Sequence, residues 1–298
     1  MTNVALPQRS GLTASSFLRR LPTPTMMHVF QARSLLFDVY APIVRYAGGW
    51  FAIADLITLL GDLDMEEQAV RSSVSRLRAK GMLERQVHSD FVGYALTDHA
   101  LKILAEGDSR IYGSLEPATL EDGWALLTFS VPEKSRSDRH QLRRRLTWLG
   151  FGNLGAGVWI APRRVLERTI EMVDEVGLGS YIDIFTAHYA AFDDLERLVA
   201  RCWDIERMRE LYSVYCREFA PMVRRWERTD PAAEPKQAFA DFVAAMHEWR
   251  QMPYLDPGLP AELLPADWEG TAAAHIFNRI HEILLSTSQS YVASVRSV

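Results

Sequence analysis

Hydrophobic positions along the chain change period several times, and the changes mark its organisation. Leu35, Leu36, Val39, Ile43 and Val44 fall on one helical stripe, which Pro42 must kink or end. After the Gly48-Gly49 break, Ile53, Leu56, Ile57 and Leu60 recur at helical spacing. Asp64, with Glu67 three residues on, has the spacing of a capping box. It predicts a helix with Val70, Val74 and Leu77 on one face, ending near Gly81 as its C-cap. The period then shortens to two. Met82 to Val87 and Phe91 to Leu96 predict a hairpin turning at His88-Ser89-Asp90. Thr97 caps a last short helix running to about Leu104. Helix, helix, capped helix, hairpin, helix is the order of a winged helix-turn-helix, placed at residues 33–112.

Residues 113–122 form a short linker. Trp124 to Val131 is an apolar run that fits a buried strand, Arg139 to Leu149 a helix, Val158 to Ala161 a strand. Val165 to Val176 fits another helix and Tyr181 to Tyr189 a third strand. The alternation predicts a small α/β sandwich within 113–192. Beyond Asp194 strand signals stop. Leu195, Leu198 and Val199, then Met208, Leu211, Tyr212, Tyr215 and Phe219, continue at helical spacing. Pro231 and Pro235 interrupt before Phe239, Phe242, Val243 and Met246, and a connector from Pro253 to Pro265 precedes a last helix of about Thr271 to Val292. The expected class is α+β and multidomain: an arm at 1–32, the winged helix, the α/β sandwich, and an all-helical module at 193–298.

Composition narrows the function classes. Of 298 residues, 48% are hydrophobic and 24% charged, the balance of a globular chain. Thirty-three Lys+Arg against 38 Asp+Glu give a net charge of −5, so any nucleic-acid contact uses a local patch rather than a uniformly basic surface. No apolar run approaches the ~18 residues of a membrane helix. Cys202 and Cys216 are too few for a disulfide scaffold and read as buried thiols of a reducing, cytoplasmic compartment. The first acid is Asp38, and the leader before it carries Arg9, Arg19, Arg20 and Arg33 without an apolar h-region. It reads as a tail, with a transit peptide or a phosphate-touching arm as the alternatives.

Candidate chemistry concentrates on the capped helix. With Val70, Val74 and Leu77 inward, the 100° step turns Gln68, Ser72, Ser75 and Arg76 outward, with Arg71, Arg78 and Lys80 at its flanks and end. Arg forks onto guanine, Gln onto adenine, and Ser onto bases or phosphate, so this face suits a duplex groove. An ordinary solvated face carries the same residue types. Residues 33–110 hold nine Lys+Arg against eleven Asp+Glu, which confines basicity to this helix. A second cluster, Lys134, Arg136, Arg139, Arg143, Arg144 and Arg145, suits phosphate or forms an exposed helix face. Gly150-Phe-Gly152-Asn-Leu-Gly155 matches a dinucleotide pattern in letters only. It follows a helix and precedes a strand, the reverse of a pyrophosphate turn, and reads as a flexible connection. No nucleophile elbow, paired metal-ligand pattern or P-loop occurs. His247, beside Glu248 and Arg250, reads as a structural, hydrogen-bonded histidine.

Several runs resemble the PaaX family of bacterial repressors of phenylacetic acid catabolism. They are Val70 to Leu83, Gly93-Tyr94-Ala95-Leu96-Thr97, Arg110-Ile111-Tyr112, Leu198 to Asp204, His247-Glu248-Trp249-Arg250 and Asp256 to Trp268. The middle segment is similar to the Cas2-like, ferredoxin-type domain of these regulators. The resemblance implies a transcriptional repressor, dimeric on operator DNA and released by an aryl-CoA thioester such as phenylacetyl-CoA, with Arg71, Ser75, Arg76 and Lys80 in its recognition helix. The wing turn departs from the family: His88-Ser89-Asp90-Phe91 is acidic where basic residues with Gly are usual, and an acidic tip repels phosphate. The block ends Trp268-Glu269-Gly270 instead of Trp-Pro-Gly. A CoA ligand needs cations beside apolar surface, and composition nominates Arg143, Arg144, Arg145, Arg163 and Arg164 with Trp148 and Trp159. The rival class, a metal-dependent nuclease built on the Cas2-like domain, lacks an acid within Trp124 to Val131, Asp122 preceding it. A DNA-independent interaction protein is the third reading.

Overall fold

The computed structural model describes residues 35–113, 118–190 and 194–297. The expected arm at 1–32 lies outside the described residues. The chain gathers into two compact units. One holds the residues up to 106 with 222–247 and 279–298; the other holds 107–221 with 248–278.

In the first unit, helix α1 (Leu35–Tyr40) stops just before Pro42, as the missing amide of proline requires, and a 3-10 turn at Val44–Ala47 leads to Gly48. Strand β1 (Trp50–Ala52) follows, then α2 (Ile53–Gly61) and α3 (Glu67–Ala79). Strands β2 (Leu83–His88) and β3 (Phe91–Leu96) form the hairpin, and α4 (Asp98–Ile111) closes the series. The sheet order is β1-β3-β2, antiparallel throughout. Strand β1 was not expected, because three residues are too short to show a period.

Two further expectations are corrected. No capping box starts α3: its N-cap is Glu66, without a side-chain cap, and Asp64 instead takes a left-handed φ of 60° in the turn before it. Helix α4 does not stop near Leu104. Thr97 caps it, accepting from the Ala100 N–H at 3.2 Å, and no proline interrupts before Ile111.

Three carboxylates, Asp38 and Asp55 buried and Asp62 half-buried, bind the C-terminal segments of this unit. His247 Nδ1 lies 2.6 Å from Oδ2 of Asp38, whose side chain has no exposure. The Tyr291 hydroxyl donates to Asp62 at 2.5 Å, and Lys236 Nζ lies 2.6 Å from the same carboxylate. The Ser297 N–H donates to Asp55 at 3.0 Å, and its hydroxyl donates to the other oxygen at 2.5 Å. The expectation of a hydrogen-bonded His247 holds.

In the second unit, β4 (Trp124–Phe129), α5 (Arg136–Trp148), β5 (Gly152–Gly155), β6 (Val158–Pro162), α6 (Leu166–Glu175) and β7 (Ile182–Ala187) follow in turn. The antiparallel order β5-β6-β4-β7 places the first strand between the third and the fourth, a ferredoxin-type arrangement. Both sheet faces are covered, which explains the unbroken apolar run of β4. Ala125, Leu127, Trp159 and Ala161 pack against Leu142 and Leu146 of α5 and Met172 and Val173 of α6. Trp124 and Ile160 point the other way, onto Leu198 and Val199 of α7 (Leu195–Cys202) and Leu259.

The glycine run is no flexible connection. Gly150 turns the chain at φ 90°, and Gly152 and Asn153 then pair with Ile160 and Trp159 as strand β5. A Cβ at Gly152 would fall 2.5 Å from Cβ of Cys202, so glycine permits this close approach. Helices α8 (Ile205–Trp226), α9 (Pro235–Trp249), the short α10 (Met252–Leu255) and α11 (Gly270–Val295) complete the chain. Cys202 and Cys216 are free and half-buried rather than fully buried. Among the described residues no helix is long and apolar enough to cross a membrane.

Candidate nucleic-acid interface

Helix α3 divides sharply between its two sides. Val70, Ser73, Val74 and Leu77 are buried, whereas Gln68, Arg71, Ser72, Ser75, Arg76, Arg78 and Lys80 are all exposed. The aliphatic side fixes the helix from behind, and the amide, hydroxyls and cations face outward. The C-terminal end is locked by a Schellman arrangement. Gly81 takes φ 67°, its N–H donates to Arg78 O at 2.9 Å, and the Met82 N–H donates to Leu77 O at 2.9 Å. That turn sends the chain directly into the hairpin.

The cations of this face are held lightly. Arg71 pairs with Glu67 one turn earlier at 2.7 Å, both exposed, an arrangement worth ~0–1 kcal/mol that a phosphate can replace. Arg76 Nη2 donates to Ser73 Oγ at 3.0 Å, and the Arg78 guanidinium lies 5.8 Å from the Tyr94 ring centre. Positive charge therefore gathers toward the middle and C-terminal half of the helix, while Glu66 and Glu67 occupy its start.

The hairpin beside it turns at Ser89-Asp90, with Ser89 at φ 54°. Its tip is acidic and apolar: Asp90 is exposed, as are Val87 and Phe91. His88 stacks on Trp50 at 4.3 Å between ring centres, and Trp50 in turn lies over Gly93, where a side chain would collide with the ring. Arg85 is an exposed cation on β2 that the sequence reading did not single out. It shares a strand face with buried Leu83, so the strand period gave no signal for its exposure.

The residues nominated for a ligand fall into different surroundings. Trp159 is buried in the sandwich core, and the exposed Arg143 covers its ring at 5.8 Å. Arg145 pairs with Glu175 at 3.6 Å, and Arg144 and Arg163 are exposed. Trp148 and Arg164 instead share a neighbour that the nomination omitted, Arg110, whose guanidinium lies 5.3 Å from the Trp148 ring and feels the charge of Arg164. Of the second basic cluster, Arg139 is occupied locally, donating to Val131 O at 2.9 Å and pairing with Glu133. Asp122 closes a turn: the Thr119 N–H and hydroxyl donate to it at 2.8 and 2.9 Å and hold its carboxyl below the usual range. Among the described residues no group of three or more His, Cys, Asp or Glu is placed to hold a metal ion.

Comparison with known proteins agrees with this arrangement along the chain. Residues 31–100 match the PaaX-like protein family, residues 117–199 the PaaX protein central Cas2-like domain, and residues 203–294 the PaaX-like protein C-terminal domain. The chain is 27% identical over 264 residues to "Transcriptional repressor PaaX" of Escherichia coli (strain K12), covering 87% of this chain and 82% of that protein. Among solved structures it is similar in fold to "Uncharacterized protein Rv0674 from Mycobacterium tuberculosis". That likeness has a TM-score of 0.59 at 22% identity and covers 88% of this chain and 98% of the other. With its three segments matched in the same order, the chain belongs to the PaaX family.

Proposed function

We propose that the chain is a sequence-specific, DNA-binding transcriptional repressor of an aromatic-acid catabolic operon, released by an aryl-CoA thioester such as phenylacetyl-CoA. The observation that carries this reading is the outer face of α3, where seven polar or cationic side chains stand exposed on a helix anchored by three buried aliphatic ones. The Escherichia coli relative, named a transcriptional repressor, supports the same reading.

In this account the protein acts by binding rather than catalysis, in the cytoplasm, as a homodimer. The four segments keep separate duties: arm, winged helix, Cas2-like sandwich and helical module. Two copies of α3 enter successive major grooves of a palindromic operator, with Arg76, Ser75, Ser72 and Gln68 toward bases and Arg71, Arg78 and Lys80 toward phosphates. A thioester that binds the DNA-free conformation better than the bound one releases the operator by linkage. Because the hairpin tip is acidic, phosphate anchoring falls to α3 itself.

The test is duplex binding by the full chain, followed by addition of CoA thioesters. Salt-dependent, sequence-selective binding that a thioester reverses is the expected result. Cleavage of the duplex with Mg²⁺ or Mn²⁺ would favour the nuclease instead, and no duplex binding would favour the interaction protein.

A further inference from the structure

The two sides of the hairpin carry different charges. Cross-strand partners in an antiparallel ladder point to the same face, so Leu83 with Leu96, Arg85 with Tyr94 and Val87 with Val92 share one side of β2 and β3. Phe51 of β1, the other partner of Tyr94, lies on that side as well. Leu83, Leu96 and Phe51 are buried there, and the Arg78 guanidinium of α3 lies 5.8 Å from the Tyr94 ring centre. This is therefore the side that meets α3. Glu84, Gln86 and His88 point the opposite way and engage one another. Gln86 Nε2 donates to Glu84 Oε1 at 2.6 Å, and His88 Nε2 lies 3.1 Å from Gln86 Oε1.

Tyr94 thus has a cation from each of two elements beside it. Arg78 reaches its ring from the helix, and Arg85 is its neighbour across the ladder, with Cβ atoms about 4.5–5.5 Å apart. Both arginines are exposed, and among the described residues neither is ion-paired, unlike Arg71 with Glu67. The acid of the tip is remote. Arg85 stands three residues back from the strand end at His88, about 10 Å at ~3.4 Å per residue, beyond the ~8 Å screening length of physiological salt.

We propose that Arg85, together with Arg78 across the Tyr94 ring, forms a phosphate clamp on the duplex that α3 enters, so that the stem of the hairpin and not its tip holds the DNA backbone. The clamp rests on the DNA reading above and extends phosphate anchoring from α3 onto β2. A helix in the major groove, about 12 Å wide, has a sugar-phosphate wall on either side, and groups that flank the helix meet those walls. Arg85 is such a group: mounted on a paired strand, on the side of Arg78, with a forked head that matches phosphate oxygens. Because phosphates repeat along every duplex, this contact adds affinity without adding sequence preference.

The test compares the full chain with Arg85→Gln, Arg85→Lys and Asp90→Asn over a salt series. The probes are the duplex that the chain selects from random sequence and an unrelated duplex. Thermal unfolding shows that each variant remains folded. Arg85→Gln should weaken binding to both duplexes by the same factor and lower the slope of log K against log salt by about 0.9, so that its deficit shrinks roughly threefold between about 50 and about 200 mM salt. Arg85→Lys should keep the slope, and Asp90→Asn should leave affinity and slope unchanged. Affinity and slope equal to the parent in Arg85→Gln overturn the clamp while the DNA reading stands. Loss confined to the selected duplex makes Arg85 a base reader and likewise overturns the clamp. Tighter binding by Asp90→Asn with a silent Arg85→Gln assigns the contact to the tip and overturns it too. If the parent chain binds neither duplex, the DNA reading itself falls, and the clamp with it.

Discussion

At the scale of single residues, the winged helix depends on a few positions that tolerate no alternative. Gly93 sits beneath Trp50, and a Cβ there would strike both the indole and the Phe51 carbonyl. Gly93→Ala should therefore cost about 1–3 kcal/mol, as overpacking generally does. Chemical denaturation would show it as a lower midpoint at unchanged slope. The exposed Arg76 donates a hydrogen bond to Ser73 on its own helix, so its loss should leave folding almost untouched. If it reads a base, Arg76→Ala costs ~1–3 kcal/mol of operator affinity at one position. Binding assays across single-base operator variants would locate that position. The outward set on α3 was legible because one long period fixed which side is buried. Arg110 was not. It lies at the end of a helix that the sequence predicts to be shorter, and its partners, Trp148 and Pro253, are remote in the chain.

At the scale of elements, the apolar period located the helices and the hairpin, while short-range exceptions escaped it. β1 is three residues long and β5 is built from Gly152, Asn153, Leu154 and Gly155, so neither offers an alternation to read. β1 takes its pairing from β3, remote in the chain, while β5 pairs with the next strand, β6, across a tight turn, and its own glycines do not reveal it as a strand. The polar ties of the C-terminal segments were also illegible, since Asp38 and His247 stand 209 residues apart. His247→Ala should remove a hydrogen bond from a buried carboxylate, lowering stability by ~1–3 kcal/mol, measurable as a lower denaturation midpoint. Helix α11 adds a pH dependence. Burial holds the His281 imidazole below its usual value, against the Phe242 ring at 5.9 Å. The unfolded chain then binds the proton more readily than the folded one. This contribution is complete above the unfolded pKa of about 6.5 and is lost as pH falls through it toward the lower folded value. His281→Gln should flatten that acid limb in thermal unfolding followed from pH 7 to 5.

At the scale of the whole molecule, a chain of net charge −5 binds a polyanion only where its cations are gathered. One such gathering is the outer face of α3, proposed above for DNA. The acid-free segment before Asp38 supplies a further test: removing residues 1–25 should flatten the salt dependence of duplex binding if that arm meets phosphates, and leave the slope unchanged if it does not. The most direct test of the central claim is the affinity of the full chain for a duplex it selects from random sequence, compared with Arg76→Ala. The account predicts a loss of about 5- to 150-fold, the equivalent of ~1–3 kcal/mol, with thermal stability retained. Equal affinity and an equal salt slope in that variant would contradict it.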